Sequence, residues 1–271
     1  MFIDMTQPLT TFEQASDGPA KLSGAMLAAA AASSPLPRPV EDLVPVPSDT
    51  ALVDQSGRQL GPRALRTRAR ILEATVSLLD EKSMRDLRVI DIARRIGSSP
   101  ATFYQYFKDV TDVVLELSIK ISELTPDMVE LIHGDWTGRA GHERGVRLAN
   151  LVTDYWDRYK AILRVRNNAA DEGDPAFLEV RMKAMLPMLT AFAEVIQAKN
   201  SASRTERSDA PEFVGGQIHP LSGAIFLFKA LESIAIYHEI FERRFGPLGE
   251  GREALVETIA TMLQSTLTAK H

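Results

Sequence analysis

From about residue 64 onward the apolar positions of this chain recur at helical spacing, and before that they follow no sustained period. Ile71, Leu72, Thr75, Leu78 and Leu79 mark one face of a helix over about 64–81. Val89, Ile92, Ala93 and Ile96 fall at i, i+3, i+4 and i+7, a second and shorter helix. Gly97 stops it, because glycine takes the left-handed conformation at a helix end without steric penalty. Ser99 then reads as an N-cap, and Pro100 as the first helical residue, where its missing N–H costs nothing. In the helix that follows, Phe103 and Phe107 are four apart and face inward. Two short helices across a glycine turn form a helix-turn-helix unit. The next helix runs from about Val110 through Val114, Leu117, Ile121 and Leu124, and Pro126 is expected to break or kink it.

After a loop bearing Gly134, Gly138 and Gly141 the periods lengthen. They predict helices over 146–165, 175–198 (with Pro187 expected to kink it), 218–245 and 253–267. Residues 199–215 and 246–249 read as loops. Ile225, Phe226, Phe228, Leu231 and Ile234 make the helix over 218–245 apolar nearly all round, so it is expected to be buried on two sides. No strand-like alternation and no internal repeat occurs, so the expected fold is all-α, a small head and a larger helical bundle.

Residues 1–62 change the picture at the other end. Prolines at 35, 37, 39, 45 and 47 and the lack of any apolar period predict a mostly disordered arm. Leu22–Ala32 superficially resembles a signal-peptide core, but Asp4, Glu13 and Asp17 precede it where a basic start is expected. A short transient helix, or a translation start upstream of Met26, suits it better. No run approaches the eighteen or so consecutive apolar residues of a spanning helix. The expected domains are 1–62 as arm, 63–109 as head and 110–271 as body.

Charge separates these parts. The chain carries net −5, yet residues 58–108 hold 11 basic and 5 acidic side chains, while 1–57 are net −5 and 109–271 net −6. A basic module inside an acidic protein is the footprint of a DNA-binding head on a body that DNA repels. Helical geometry turns Ala101 and Gln105 outward, with Thr102 and Tyr106 on one flank and Pro100 and Tyr104 on the other. A small, hydroxylated, amide-bearing and aromatic surface suits a helix in a DNA major groove. Glutamine pairs with an adenine edge, methyls meet thymine, and tyrosine hydroxyls reach phosphates. Arg58, Arg63, Arg66, Arg68 and Arg70 crowd the positive end of the preceding helix, a mild penalty that favours a phosphate partner.

At these residues the segment Arg70–Leu115 resembles the DNA-binding domain of the TetR family of transcriptional regulators. The resemblance rests on Arg70-Ile71-Leu72, Ala74, Leu78-Leu79, Asp91-Ile92-Ala93, Gly97, Ser99, Thr102-Phe103-Tyr104 and Tyr106-Phe107. Three positions depart from it. Ser98 replaces an aliphatic residue, Val110 stands where a phosphate-contacting lysine is common, and Arg88 replaces a capping threonine. Arg88 and Lys108 are candidates to supply the lost contacts. The expected DNA-binding residues are Arg66, Arg88, Val89, Ser99, Pro100, Ala101, Thr102, Tyr104, Gln105, Tyr106 and Lys108.

The resemblance further implies a body that binds a small effector and dimerises through its last two long helices, 218–245 and 253–267. Tyr155, Trp156, Tyr159, Met182, Met185, Met188 and Phe192 concentrate on adjacent helices. They read either as plain core or as a pocket for an apolar ligand, with Asn167, Asn168 and Arg164 placed to hold its polar end. Two other classes were weighed. For an enzyme, His238 and Glu242 lie at i and i+4 without the second histidine of a zinc motif, and read as a solvated pair; no phosphate loop, nucleophile elbow or cysteine is present. A helical protein-binding adaptor accounts for the bundle but not for the basic head. The expectation is a cytoplasmic homodimeric regulator, a repressor released by its ligand, with double-stranded DNA as partner and no metal, cofactor or membrane.

Overall fold

The computed structural model describes residues 53–124, 126–205, 217–245 and 251–268. Internal contacts divide the chain into residues 1–34 and 35–271, and all the described residues belong to the second unit. The expectations for Leu22–Ala32 and for the 246–249 loop fall outside the described residues.

Helix α1 spans Pro62–Glu81. A short 3-10 turn at Met84–Asp86 follows, then α2 at Val89–Arg95 and α3 at Pro100–Tyr104. Gly97, between them, has φ +63, the left-handed conformation that a side chain would strain. The Ser99 hydroxyl accepts from the Thr102 N–H at 3.3 Å, so the cap forms as its residue type requires. Phe103 and Phe107 are fully buried, and Ile71, Leu72, Ile92 and Leu117 share their core.

Helix α4, Val110–Ser122, is capped by the Asp109 carboxylate, which accepts from the Asp112 N–H at 2.8 Å. Pro126 does not kink it. It opens a new helix, α5 (Pro126–Ile132), at the one helical position that proline favours. Helix α6 starts earlier than expected, spanning Gly138–Asp171. Apolar spacing fades before Val146, but Gly141 and Gly145 are buried there because the helix runs against Trp136 and the C-terminal helix. Helix α7 spans Pro175–Thr205, with Pro187 inside it, so the polar stretch after Ala198 continues the helix rather than starting a loop.

Helices α8 (Pro220–Phe245) and α9 (Arg252–Leu267) complete the described chain. The body core lies among α6, α7, α8 and α9, while α4 packs on α6 and α7 and on α1, joining head to body. Only one side of α8 is buried within the chain, through Ala224, Leu227, Leu231, Ala235 and His238. Its other side leaves Leu221, Ile225, Tyr237 and Ile240 exposed and Phe226 76% exposed, so within one chain only one of the two expected sides is covered. By length and composition, Pro220–Arg244 is apolar enough to cross a membrane, with a mean hydropathy of 1.3. Lys229, Glu232 and Glu239 interrupt it, so the helix contains no unbroken apolar run of spanning length.

The described end of the arm holds a turn. Val53 and Gln59 form an antiparallel bridge around a turn. Asp54 Oδ1 accepts from the Ser56 and Arg58 N–H groups, both at 2.9 Å. Such self-bonding aspartates make turns in chain that has no apolar period.

Candidate nucleic-acid interface and cavity

On α3 the side chains of Ala101, Tyr104 and Gln105 are exposed, Tyr104 by 52%. Pro100 and Thr102 are half-buried, and the Thr102 hydroxyl lies 3.1 Å from that of Ser99. Tyr106 is turned further in than its spacing implied and packs partly on the core. Gln105 ends the helix, and the arm turn docks there: Gln55 N–H donates to the Gln105 carbonyl at 3.0 Å and Gln55 Nε2 to the Tyr106 carbonyl at 3.2 Å. These bonds satisfy carbonyls that a helix end leaves open, while the Gln105 side chain stays outward.

The arginine run divides. Arg68 pairs with Glu116 of α4 and stacks 4.8 Å from the Phe107 ring, a brace between head and linker helix. Arg70 donates to the Ile96 carbonyl and so closes the end of α2. Arg58, Arg63 and Arg66 stay exposed and form no ion pair among the described residues. They line, with Arg70, Thr102 and Gln105, an open groove of about 850 Å³ between arm turn, α1 and α3. Arg88 and Lys108 are exposed at the edges of the unit, while Val89 is half-buried against the core. The Arg88 N–H donates to Asp91 Oδ2 at 3.1 Å, which starts α2 without the usual threonine hydroxyl.

In the body a second, partly open space of about 70 Å³ lies among α5, α6, α7 and α8. Tyr155, Trp156, Met185 and Met188 line it as the pocket reading anticipated. The other predicted members do not. Met182 is 46% exposed because it lies on the outer face of α7, and Phe192 is fully buried core. Tyr159 is buried with its ring 5.3 Å from that of Tyr155. Asn167 is buried and occupied by Arg166, while Arg164 and Asn168 point to solvent. Met128, Arg166, Phe228 and Glu232 enter the lining unforeseen. They come from other helices, or from a position whose charge argued for the surface.

His238 is buried, and its Nε2 lies 3.3 Å from Asp157 Oδ2 rather than pairing with Glu242 in solvent. Asp157, His238 and Glu239 bring ligand-type atoms together. Arg252 lies 3.6 Å from Asp157, however, and Lys160 2.9 Å from Glu239. Those cations neutralise the carboxylates that a metal would need, so the cluster is an ion-pair network.

A capped helix-turn-helix carrying free arginines, mounted on a helical bundle, defines the class: a DNA-binding transcription regulator. Residues 71–117 match the family described as bacterial regulatory proteins, tetR family, and residues 128–240 match the tetracyclin repressor-like C-terminal domain. The chain belongs to the TetR family, and it is a regulator rather than an enzyme. That leaves the adaptor reading without support.

Among solved structures, one assigned to the TetR-family transcriptional regulators, from Syntrophomonas wolfei, is 14% identical with a TM-score of 0.47, covering 74% of this chain and 94% of its own. The fatty acid degradation regulator FadR from Bacillus halodurans is 16% identical with a TM-score of 0.46, covering 76% and 97%. A TetR/AcrR-family regulator from Thermobifida fusca is 20% identical with a TM-score of 0.43, covering 73% and 97%. No protein of curated function matches the chain.

Proposed function

We propose that this regulator is a repressor that binds a near-palindromic operator as a homodimer in the cytoplasm and is released by a small apolar or amphipathic effector. The observation that carries the DNA reading is Gln105 on one groove with the exposed Arg58, Arg63 and Arg66, next to the exposed Ala101 and Tyr104 of α3. Gln105 reads a base edge, and the arginines hold phosphates and set the register. One head reads a half-site, so a two-fold pair of heads is needed to read both halves. The exposed apolar side of α8, with Phe226 at its centre and Met262 of α9 also exposed, is the surface offered to the second copy. Covering that side in a dimer also explains the apolar composition of α8 without a membrane.

The effector enters the cavity under Trp156. It favours a state in which the two heads are wrongly spaced, and it shifts the population only by its difference in affinity for the two states. Selecting bound duplexes from random DNA at fixed salt tests the reading. Enrichment of a two-fold symmetric site supports it, and recovery of no sequence above background at low salt refutes it.

A further inference from the structure

Arg166 of α6 is 6% exposed and forms part of the cavity wall beside Met185, Met188 and Phe228. Its Nε and Nη2 both donate to Asn167 Oδ1 at 3.1 Å, and the Tyr155 hydroxyl is near enough to feel its charge. Both partners are uncharged, since burial pushes the Tyr155 phenol upward and keeps it protonated. Burial also pulls the Arg166 guanidinium down, yet an arginine stays charged in a protein. Among the described residues no carboxylate pairs with it. Glu232, in the same wall, is held by Lys229 at 2.5 Å, and Asp171 by Arg181 at 2.5 Å. Glu232 acts on Arg166 through space without forming an ion pair with it, so the buried guanidinium lacks a directly bonded counter-charge, which is costly.

We propose that the effector is a monoanionic amphiphile whose carboxylate is bound by Arg166 and Tyr155 while its hydrocarbon tail lies among Trp156, Met185, Met188 and Phe228. The guanidinium fork matches a planar carboxylate, and the Glu232 carboxylate in the wall disfavours a doubly charged head. The space of about 70 Å³ is well below the ~300 Å³ of an ordinary ligand site, so the tail enters by displacing the flexible methionine side chains. One bond ties the cavity to α4, the helix that joins the DNA-binding head to the body. The Tyr155 hydroxyl donates to the Ile121 carbonyl in the last turn of α4 at 3.1 Å. A carboxylate that draws Tyr155 and Arg166 to itself competes with that bond, giving the effector different contacts in the two states.

This inference rests on reading the cavity as the effector site, and the test separates the two. The full chain is titrated calorimetrically with octanoate, octanol and octylammonium. Octanoate is expected to bind about tenfold or more tightly than octanol, with octylammonium weakest. Arg166→Met is expected to remove the preference for octanoate while keeping octanol binding and helical circular dichroism; Arg166→Lys retains part of the preference. Equal binding of octanoate and octanol, or unchanged octanoate affinity in Arg166→Met, overturns the head-group assignment and leaves the cavity standing. If none of the three probes binds at millimolar concentration, the cavity reading and the assignment fall together. Should Arg166→Met fail to fold, the octanoate-to-octanol ratio in the unaltered protein and in Arg166→Lys decides alone.

Discussion

Gln105 occupies two roles at once, with its carbonyl engaged by Gln55 and its side chain in solvent at the end of α3. Gln105→Ala should therefore spare the fold and weaken operator binding by about 1–3 kcal/mol, with relaxed preference at one base pair. Competition titrations with operator and scrambled duplex check this, and equal losses on both would remove its base-reading role. Asp91 works on stability instead. The Arg88 N–H bond holds its carboxyl below the ordinary value of 3.8. A carboxyl depressed in the folded state contributes stability above its unfolded value, and loses it as pH falls through the folded value. Asp91→Asn should flatten the acid side of the stability curve, read by thermal melts followed by circular dichroism from about pH 6 down to about pH 2. At this scale residue type was legible but facing was not always so. Arg66 and Arg70 lie four apart on one helix and line one groove, yet Arg70 is engaged by the Ile96 carbonyl, a partner that spacing within α1 cannot reveal.

At the scale of elements, caps and stops were readable because they are local chemistry. Gly97, Ser99 and Pro100 each do what their conformational preferences demand. Helix starts set by packing were not readable. The first turns of α6 lack an apolar stripe, and what holds them is close approach: a Cβ on Gly145 would sit 2.9 Å from Ala260 Cα of α9. Gly145→Ala should force the two helices apart and cost about 1–3 kcal/mol, measured by urea unfolding. An unchanged midpoint would show that α9 yields without penalty. Pro126 makes the same point in reverse, since a helix breaker and a helix starter are one residue seen from two sides.

For the whole molecule, the exposed apolar face of α8 is an unmet demand among the described residues. Phe226 is 76% exposed, so Phe226→Asp should leave the folded chain intact and oppose pairing of two copies. Sedimentation velocity should show a monomer with unchanged helical circular dichroism, and a persisting dimer would place the interface elsewhere.

The amino-acid sequence alone determined the helix-turn-helix, the basic head on an acidic body and the all-α class. Each of these depends on spacing, capping or charge counted along the chain. Tertiary structure decided which arginines stay unpaired on the groove, that the arm turn docks on α3, and that Arg166 enters an apolar cavity. Those outcomes arise between residues far apart in the chain, such as Gln55 with Gln105 and Tyr155 with Ile121, where periodicity carries no information about the partner.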